Sequence, residues 1–371
     1  MHTASKTEIA AHPRIPATMR AAVYRGKDDV RLETVAVPEI GPGEALVRIH
    51  TCGICGTDLK KISTGSHSAP RIFGHEMSGQ IVATGEGVAN FQIGDRVMVF
   101  HHIPCGECYY CRHKVFAQCP VYKKVGAGAG FEPSGGGFAE YIRVMPWIVG
   151  KGMVKVPERV SYEQASFIEP VNTCMKAVQS LRLEPDETVL VIGQGPIGII
   201  LAILAARTGA TVVTSDLYPQ RLTISSSYGL RHNINASSDD PATRVRELSQ
   251  GRGADAVILA TAGNSLIRPA MDAARPGGRI MLFAQTQNSE VAIDPAAVCM
   301  EEKTLLGSYS ASVDLQEENV HLVFGGGIDF ARLITHRFRL EQAVEALQRA
   351  AHPGPDSLKI VIQPGMDWEK A

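Results

Sequence analysis

The 371-residue sequence predicts a two-domain α/β protein, with a doubly wound parallel sheet set into a β-rich, barrel-like domain. Three observations carry this. Residues 20 to 100 run as short Val/Ile-rich segments between glycine turns. From residue 188, strand-like and helix-like segments alternate. The closing KIVIQP reads as a strand again, so the β-rich part resumes at the C-terminus. The expected division is an N-terminal extension over 1–18, the β-rich domain over 19–165 and 312–371, and the parallel-sheet domain over 166–311.

In chain order, AAVYR alternates weakly and EIGPGEALVRIH gives a Pro-Gly turn into a strand. EMSGQIVATGEGV and RVMVF repeat that style around a turn at FQIGD. No helix-period stripe of useful length is expected before about residue 160. TVLVIG is then a buried type of strand, and GPIGIILAILAARTG is a helix closed by Gly209. TVVTSD, a helix around 219 to 229, HNIN, VRELSQ and GADAVILAT continue the rhythm. A helix over 265 to 275, RIMLF and TLLGS complete it. The tail holds a helix candidate from about 312, then DFARLITHRFRLEQAVEALQRA.

Composition narrows the function classes. The net charge of -1, with 20% charged residues, offers no basic excess for nucleic acid. The longest apolar runs are broken by charge or glycine, so no membrane span is expected. The opening MHTASKTEIAAHPRIPATMR has no hydrophobic core segment and is not read as a secretory signal. Eight cysteines in a chain this long do not resemble a secreted disulfide scaffold. The expected compartment is the cytoplasm, where clustered cysteines favour metal.

Gly193-Gln194-Gly195-Pro196-Ile197-Gly198 follows TVLVI and opens a helix. Glycines there permit a tight turn and close approach of backbone to a pyrophosphate, which the helix N-terminus attracts. Asp216 ends the next strand. Its carboxylate suits the ribose hydroxyls of NAD and repels the 2'-phosphate of NADP, unless it is an ordinary N-cap. Arg221 keeps an NADP alternative open, although packing or a salt bridge to Asp216 also accounts for it.

Two groups of residues suit metals. Cys105, Cys108, Cys111 and Cys119 lie within CGECYYCRHKVFAQC, and four thiolates close a tetrahedral structural zinc site. Iron-sulfur ligation and reduced packing cysteines are the rivals. A second site needs distant partners. TCGICGTDLKK pairs Cys52 with Cys55 as a redox pair, half a zinc knuckle, or one ligand with a bystander. His75 and Glu76 in PRIFGHE and Glu169 in FIEPVN have bland readings as a core histidine, its orienting acid and a helix cap. Spacing alone does not join them to Cys55.

In combination, CGICGTD, GHEMSGQIVATGEGV, GDRV, CGECYYCRHKVFAQC, FAEY, IEP and GQGPIG resemble the zinc-dependent medium-chain dehydrogenase/reductases, from about residue 20 to 361. Within them the chain is most similar to the polyol (sorbitol) and threonine dehydrogenase branches. The resemblance implies a GroES-like catalytic domain beside a Rossmann domain, in a homodimer or homotetramer. It implies NAD and two zinc ions per chain, one structural and one catalytic. The catalytic zinc would take Cys55, His75 and Glu76, with Glu169 either ligating it or holding its water. Cys52 matches no ligand. The implied reaction passes hydride between a secondary alcohol and nicotinamide. Thr57 would contact the reacting oxygen and begin a proton relay, or serve as a turn hydroxyl. Asp58 would brace the loop.

Two departures bear on the substrate. Many of these relatives carry a relay histidine three residues beyond the threonine, where this chain has Lys60 followed by Lys61. Lys60 is a relay group of lowered pKa, a solvent-facing charge, or a site for an anionic substrate group. Sorbitol dehydrogenases carry an arginine-tyrosine pair after the last Rossmann strand, where this chain has Ser308-Tyr309. Tyr309 is thus a candidate substrate contact, and the expected substrate is a modified polyol, cyclitol or sugar-derived alcohol or ketone. The rivals are a threonine-like β-hydroxy amino acid and, more remotely, a non-catalytic NAD-binding regulatory protein. The glycine-rich 126–137 is expected to line the cleft as a mobile loop.

Overall fold

A computed structural model describes residues 15–125, 136–284 and 290–365. Most of the N-terminal extension and of the glycine-rich loop therefore lies outside the described residues.

The parallel sheet runs in the spatial order His232–Asn235, Thr211–Asp216, Thr188–Ile192, Ala254–Leu259, Ala274–Leu282, Thr304–Gly307. Every pairing in it is parallel. Counted along the chain, that order is 3-2-1-4-5-6, the doubly wound arrangement whose switch point lies beyond the first and fourth strands. Thr188–Ile192 and Ala254–Leu259 are central and almost wholly buried, hence their unbroken apolar runs. The helix Pro196–Ala206 is apolar nearly all round because it is buried on most of its surface. It packs on the helix Ile168–Leu181, which itself contacts the other domain's strands.

The β-rich part holds a seven-stranded sheet and a three-stranded one. In the larger sheet Ala45–Gly53 is central, pairing antiparallel with Glu76–Thr84 and with Lys359–Gln363. Register sets Gly53 opposite Glu76 on one side and Val361 on the other. The chain's beginning and end are thus knitted into one sheet beside the segment that follows Gly53.

Two local features go beyond what the sequence pattern marked. A helix, Gly56–Thr64, forms well before residue 160. It carries no broad apolar stripe. Its start is set by a capping box, in which the Cys55 side chain accepts from the first turn and Asp58 reaches back to the Cys55 N–H. Its end is set by Gly65 in the left-handed conformation. Within the tail, Ile334–Arg339 is a strand and Ala343–Ala351 the helix, because ITHRFR alternates toward its parallel partner Lys359–Gln363. Among the described residues, no helix is long and apolar enough to cross a membrane.

Candidate active site

The loop from Gly53 to the helix Gly56–Thr64 brings Cys55 beside the start of the strand Glu76–Thr84. Ligand atoms of Cys55, His75 and Glu76 lie within 4.8 Å of one another. Asp58, fully buried, organises this group. It accepts from the Cys55 N–H at 3.1 Å and the Gly74 N–H at 3.4 Å, and meets His75 Nδ1 at 3.1 Å. That contact leaves the other ring nitrogen of His75 for a metal. Burial opposes a charge on His75, but Asp58 and Cys55 beside it push its pKa well up. The Thr57 N–H donates to Cys55 Sγ at 3.4 Å. The donors are one thiolate, one imidazole and one carboxylate. That is an open catalytic zinc set in chemical type, with three protein donors and room for a fourth ligand.

Glu169 stands in the first turn of the helix Ile168–Leu181, near enough for its charge to act on Glu76, but it falls outside the 4.8 Å group. Its Oε1 is 2.8 Å from His102 Nε2 and accepts from the Thr173 hydroxyl at 3.4 Å. Burial pushes the carboxyls of Glu76 and Glu169 up. Cys52 is not a partner of Cys55. It is a free, wholly buried thiol packed beneath Gly74 and Gly137, and burial raises its pKa well above the ordinary range.

Sequence reasoning missed three groups. Lys359 is buried, contacts Glu76 Oε2 and donates to the Ile54 carbonyl at 3.1 Å. As the first residue of a strand it reads as a solvent charge, so the sequence holds no signal for it. His101 and His102 carry a signal: two adjacent histidines one residue beyond the buried strand Arg96–Val99 and before the cysteine run. Both rings are buried, which together with nearby positive charges keeps them neutral. His102 also faces Tyr122 and Ser310.

Lys60 is exposed on the helix, whereas Lys61 is half-buried. Lys61 Nζ lies 5.8 Å from the Phe73 ring centre. Burial lowers the Lys61 pKa, and Asp58 and Cys55 oppose that shift. Tyr309 is 49% exposed, and its carbonyl accepts from Lys176 Nζ at 2.8 Å.

The four cysteines 105, 108, 111 and 119 have ligand atoms within 4.8 Å of one another and form no disulfide. Cys105 Sγ and Cys108 Sγ lie 3.8 and 3.5 Å from Cys111 Sγ. Zinc-sulfur bonds of about 2.3 Å in a tetrahedron require sulfur atoms about 3.8 Å apart, so the group fits the ion. Burial opposes a thiolate at Cys119, but N–H groups of Cys105, Tyr122 and Val121 directed at its sulfur bring the pKa down to about 6.

At the switch point, Gly193 has φ +93°, and a Cβ there would meet Thr261 Cβ at 2.7 Å. A Cβ on Gly198 would meet the Gly193 carbonyl oxygen at 1.8 Å, so helix and turn pack too closely for any side chain. Gly195 caps the helix with open space before it, and Pro196 and Ile197 begin the first turn. The N–H groups of this helix N-terminus therefore border open space, which suits an anion. Asp216 accepts from the Gln194 N–H at 2.6 Å and the Tyr218 N–H at 2.9 Å. Its carboxylate thereby ties the glycine turn to the end of the second strand. Arg221 lies 3.9 Å from Asp216 and donates to the carbonyls of Gly354 and Ser357 at 3.3 and 3.4 Å. A cleft of about 200 Å³ is lined by Gly56 and Leu59 on one side and by Gly195, Pro196 and Arg221 on the other. Its walls come from the segment that carries Cys55 and from the glycine turn.

An open thiolate-imidazole-carboxylate set beside a doubly wound nucleotide cradle defines a zinc-type dehydrogenase. Comparison with known proteins agrees. A family model for the alcohol dehydrogenase GroES-like domain matches residues 41–158, and one for zinc-binding dehydrogenases matches 196–324. The chain is 29% identical to sorbitol dehydrogenase of Bacillus subtilis, covering 94% of this chain and 98% of that one. It is 30% identical to L-threonine 3-dehydrogenase of Rhizobium etli, covering 94% and 99%. A zinc-binding dehydrogenase of Sinorhizobium meliloti 1021, solved with bound NADP, superposes with a TM-score of 0.84 at 26% identity, covering 94% and 100%. The chain belongs to the zinc-dependent medium-chain dehydrogenase/reductase family.

Proposed function

We propose that this dehydrogenase oxidises a secondary alcohol of a polyol, cyclitol or sugar-derived substrate, or reduces the corresponding ketone, with NAD. One observation carries the reading: the three-donor set Cys55, His75 and Glu76 is open and stands beside the cleft that leads to Gly195 and Pro196. When bound, zinc supplies Lewis-acid polarisation of the carbinol oxygen and nicotinamide accepts the hydride. The chain's own residues do the rest. Asp58 orients His75. Glu169 stands beside the open place, either as a further ligand or as a partner for water. Thr57 offers its hydroxyl to the reacting oxygen and starts the path for its proton. Tyr309, whose side chain is half-exposed, is the candidate contact for the substrate's remaining hydroxyls. The helix N-terminus at Pro196 receives the pyrophosphate.

Asp216 favours NAD, since a carboxylate beside the adenosine ribose repels a 2'-phosphate. Arg221 is already engaged by two backbone carbonyls and by Asp216, which supports the same preference. The Cys105, Cys108, Cys111 and Cys119 group holds a second, structural zinc. Eight free cysteines suit the reducing cytoplasm, and the enzyme acts there as a homodimer or homotetramer.

A second reading, oxidation of a threonine-like β-hydroxy amino acid, draws on the likeness to L-threonine 3-dehydrogenase and on Lys61 and Lys176 near the site. Cofactor reduction measured over polyols, cyclitols, sugars and β-hydroxy amino acids, with metal content, separates the two. Turnover of polyols or cyclitols with two zinc ions per chain is expected. Turnover of amino acids alone selects the second reading, and no turnover by zinc-loaded protein in any class overturns both. Cys55→Ser is expected to lower turnover by more than about a hundredfold while NAD still binds.

A further inference from the structure

Three basic side chains gather near Phe73, two residues before His75. Lys61 comes from the helix Gly56–Thr64, His67 from the loop after it, and Arg71 from the short strand Arg71–Ile72. Lys61 and His67 meet on the buried Phe73 ring. Lys61 Nζ lies 5.8 Å from its centre, and the imidazole stands edge-on with ring centres 5.9 Å apart. The Arg71 guanidinium turns toward the same loop, donating to the Ser68 carbonyl at 2.9 Å and the Ser68 hydroxyl at 3.0 Å. Burial lowers the pKa of His67, and Lys61 and Arg71 push it the same way. The fold thus brings like charges together, an arrangement that a bound anion stabilises.

Lys61 ties this cluster to the catalytic group. Its charge is felt by Cys55 and Asp58, by Glu169, and by His101 and His102, which stand on three separate segments. On its helix Lys61 is four residues past Thr57, so the two share a face one turn apart. Gly56 and Leu59, which line the cleft leading to Gly195, lie on another face of that helix. An anion held by Lys61 therefore belongs to the substrate and not to the cofactor's pyrophosphate. Asp58, the acid that acts most strongly on Lys61, is already engaged by the Cys55 and Gly74 N–H groups and by His75.

We propose that Lys61 and Arg71, with His67, bind a phosphomonoester carried by the substrate, so that the alcohol oxidised at the Cys55, His75 and Glu76 site is a polyol phosphate or sugar phosphate. Two cations suit a group that carries nearly two negative charges at neutral pH, whereas a carboxylate needs only one. Arginine offers a planar fork to phosphate oxygens and lysine a point charge. The phosphate takes no part in the reaction. Hydride and proton leave the carbinol, and the phosphoester bond stays intact. The proposal rests on the dehydrogenase reading for the reaction, but not for the anion site.

The test compares cofactor reduction by the zinc-loaded enzyme over pentitols and hexitols, their terminal phosphomonoesters, and β-hydroxy acids. A phosphoester is expected to exceed its parent polyol about thirtyfold in kcat/KM. Lys61→Ala and Arg71→Gln should each raise the KM for the phosphoester about tenfold and leave the parent polyol within about twofold. Lys61→Arg, which keeps the charge, should retain most of the preference. A purely structural role would instead lower activity on both substrates together. Calorimetric titration with inorganic phosphate, at saturating NAD so that the pyrophosphate place is filled, reads the site without turnover. The wild type should bind phosphate, and Lys61→Ala should bind it about tenfold more weakly. Equal kcat/KM for phosphoester and parent, or a preference for β-hydroxy acids, overturns the proposal. So does phosphate that fails to bind the wild type or binds Lys61→Ala equally well. If no alcohol turns over while phosphate still binds through Lys61, the dehydrogenase reading falls and the anion site stands.

Discussion

Lys359 reaches Glu76 across the face of Gly53. Its ammonium contacts Glu76 Oε2, and a Cβ on Gly53 would lie 2.1 Å from that oxygen and 2.7 Å from Lys359 Cε. The pair is buried, so each charge depends on the other. Burial works against the Lys359 charge, yet Glu76 and Cys55 raise its pKa. Lys359→Met should therefore cost the metal-free protein about 3 kcal/mol, by leaving a buried carboxylate without its partner. The metal-loaded form should lose less, because a bound cation neutralises Glu76. Thermal unfolding with and without chelator checks this: the gap in Tm between the two forms should widen, and an unchanged gap would count against the pairing.

The two lysines of TCGICGTDLKK should separate in kinetics. Lys60 is exposed, whereas Lys61 lies against Phe73, and its charge is felt by Asp58, Cys55 and Glu169. Lys60→Ala is expected to stay near wild type in kcat and in its pH profile. Lys61→Ala is expected to lower kcat/KM about tenfold, or 1.4 kcal/mol. The opposite ranking would restore Lys60 as the relay or anion-binding group.

Cys105→Ser opens the four-cysteine site without touching the cleft. It should remove one zinc ion per chain and lower Tm, with cofactor binding retained when measured below the transition. Metal analysis alongside calorimetry decides the point. Full zinc content in the variant would argue that these cysteines only pack.

His50 should make stability fall in acid. Its ring stacks on Tyr162 with centres 4.3 Å apart, and burial with Arg48 and Arg96 nearby pushes its pKa from 6.5 down to about 4. The unfolded chain then binds a proton more readily between those values. The contribution is therefore complete above about pH 6.5 and is lost as pH falls toward 4. Allowing for the ring's partial exposure, the loss is about 2 kcal/mol. Urea unfolding from pH 7 to pH 4 should show a shallower decline in His50→Gln than in the wild type. Parallel declines would assign the acid sensitivity elsewhere.

Much of the architecture was legible because it depends on local pattern. Apolar runs such as AVIL, the last four residues of Ala254–Leu259, mark strands covered on both faces, and GQGPIG marks a turn that only glycine permits. The helix Gly56–Thr64 escaped because its signal is a cap, with cysteine in the place of the usual serine or aspartate. Arg221 was legible as a neighbour of Asp216, but not as a donor to the carbonyls of Gly354 and Ser357.

The sequence by itself determined the chemistry on offer: a thiolate, an imidazole and carboxylates in recognisable segments, four clustered cysteines, and a glycine turn opening a helix. Tertiary structure decided which of these meet. Sheet register set Gly53 between Glu76 and the returning C-terminal strand, and so brought Lys359 to the carboxylate. Domain packing set His102 between Glu169, Tyr122 and Ser310. These groups are far apart along the chain, and their pairing stems from burial. Inside the fold a charge or polar atom must find a partner, and the partner is whichever group the topology brings within reach.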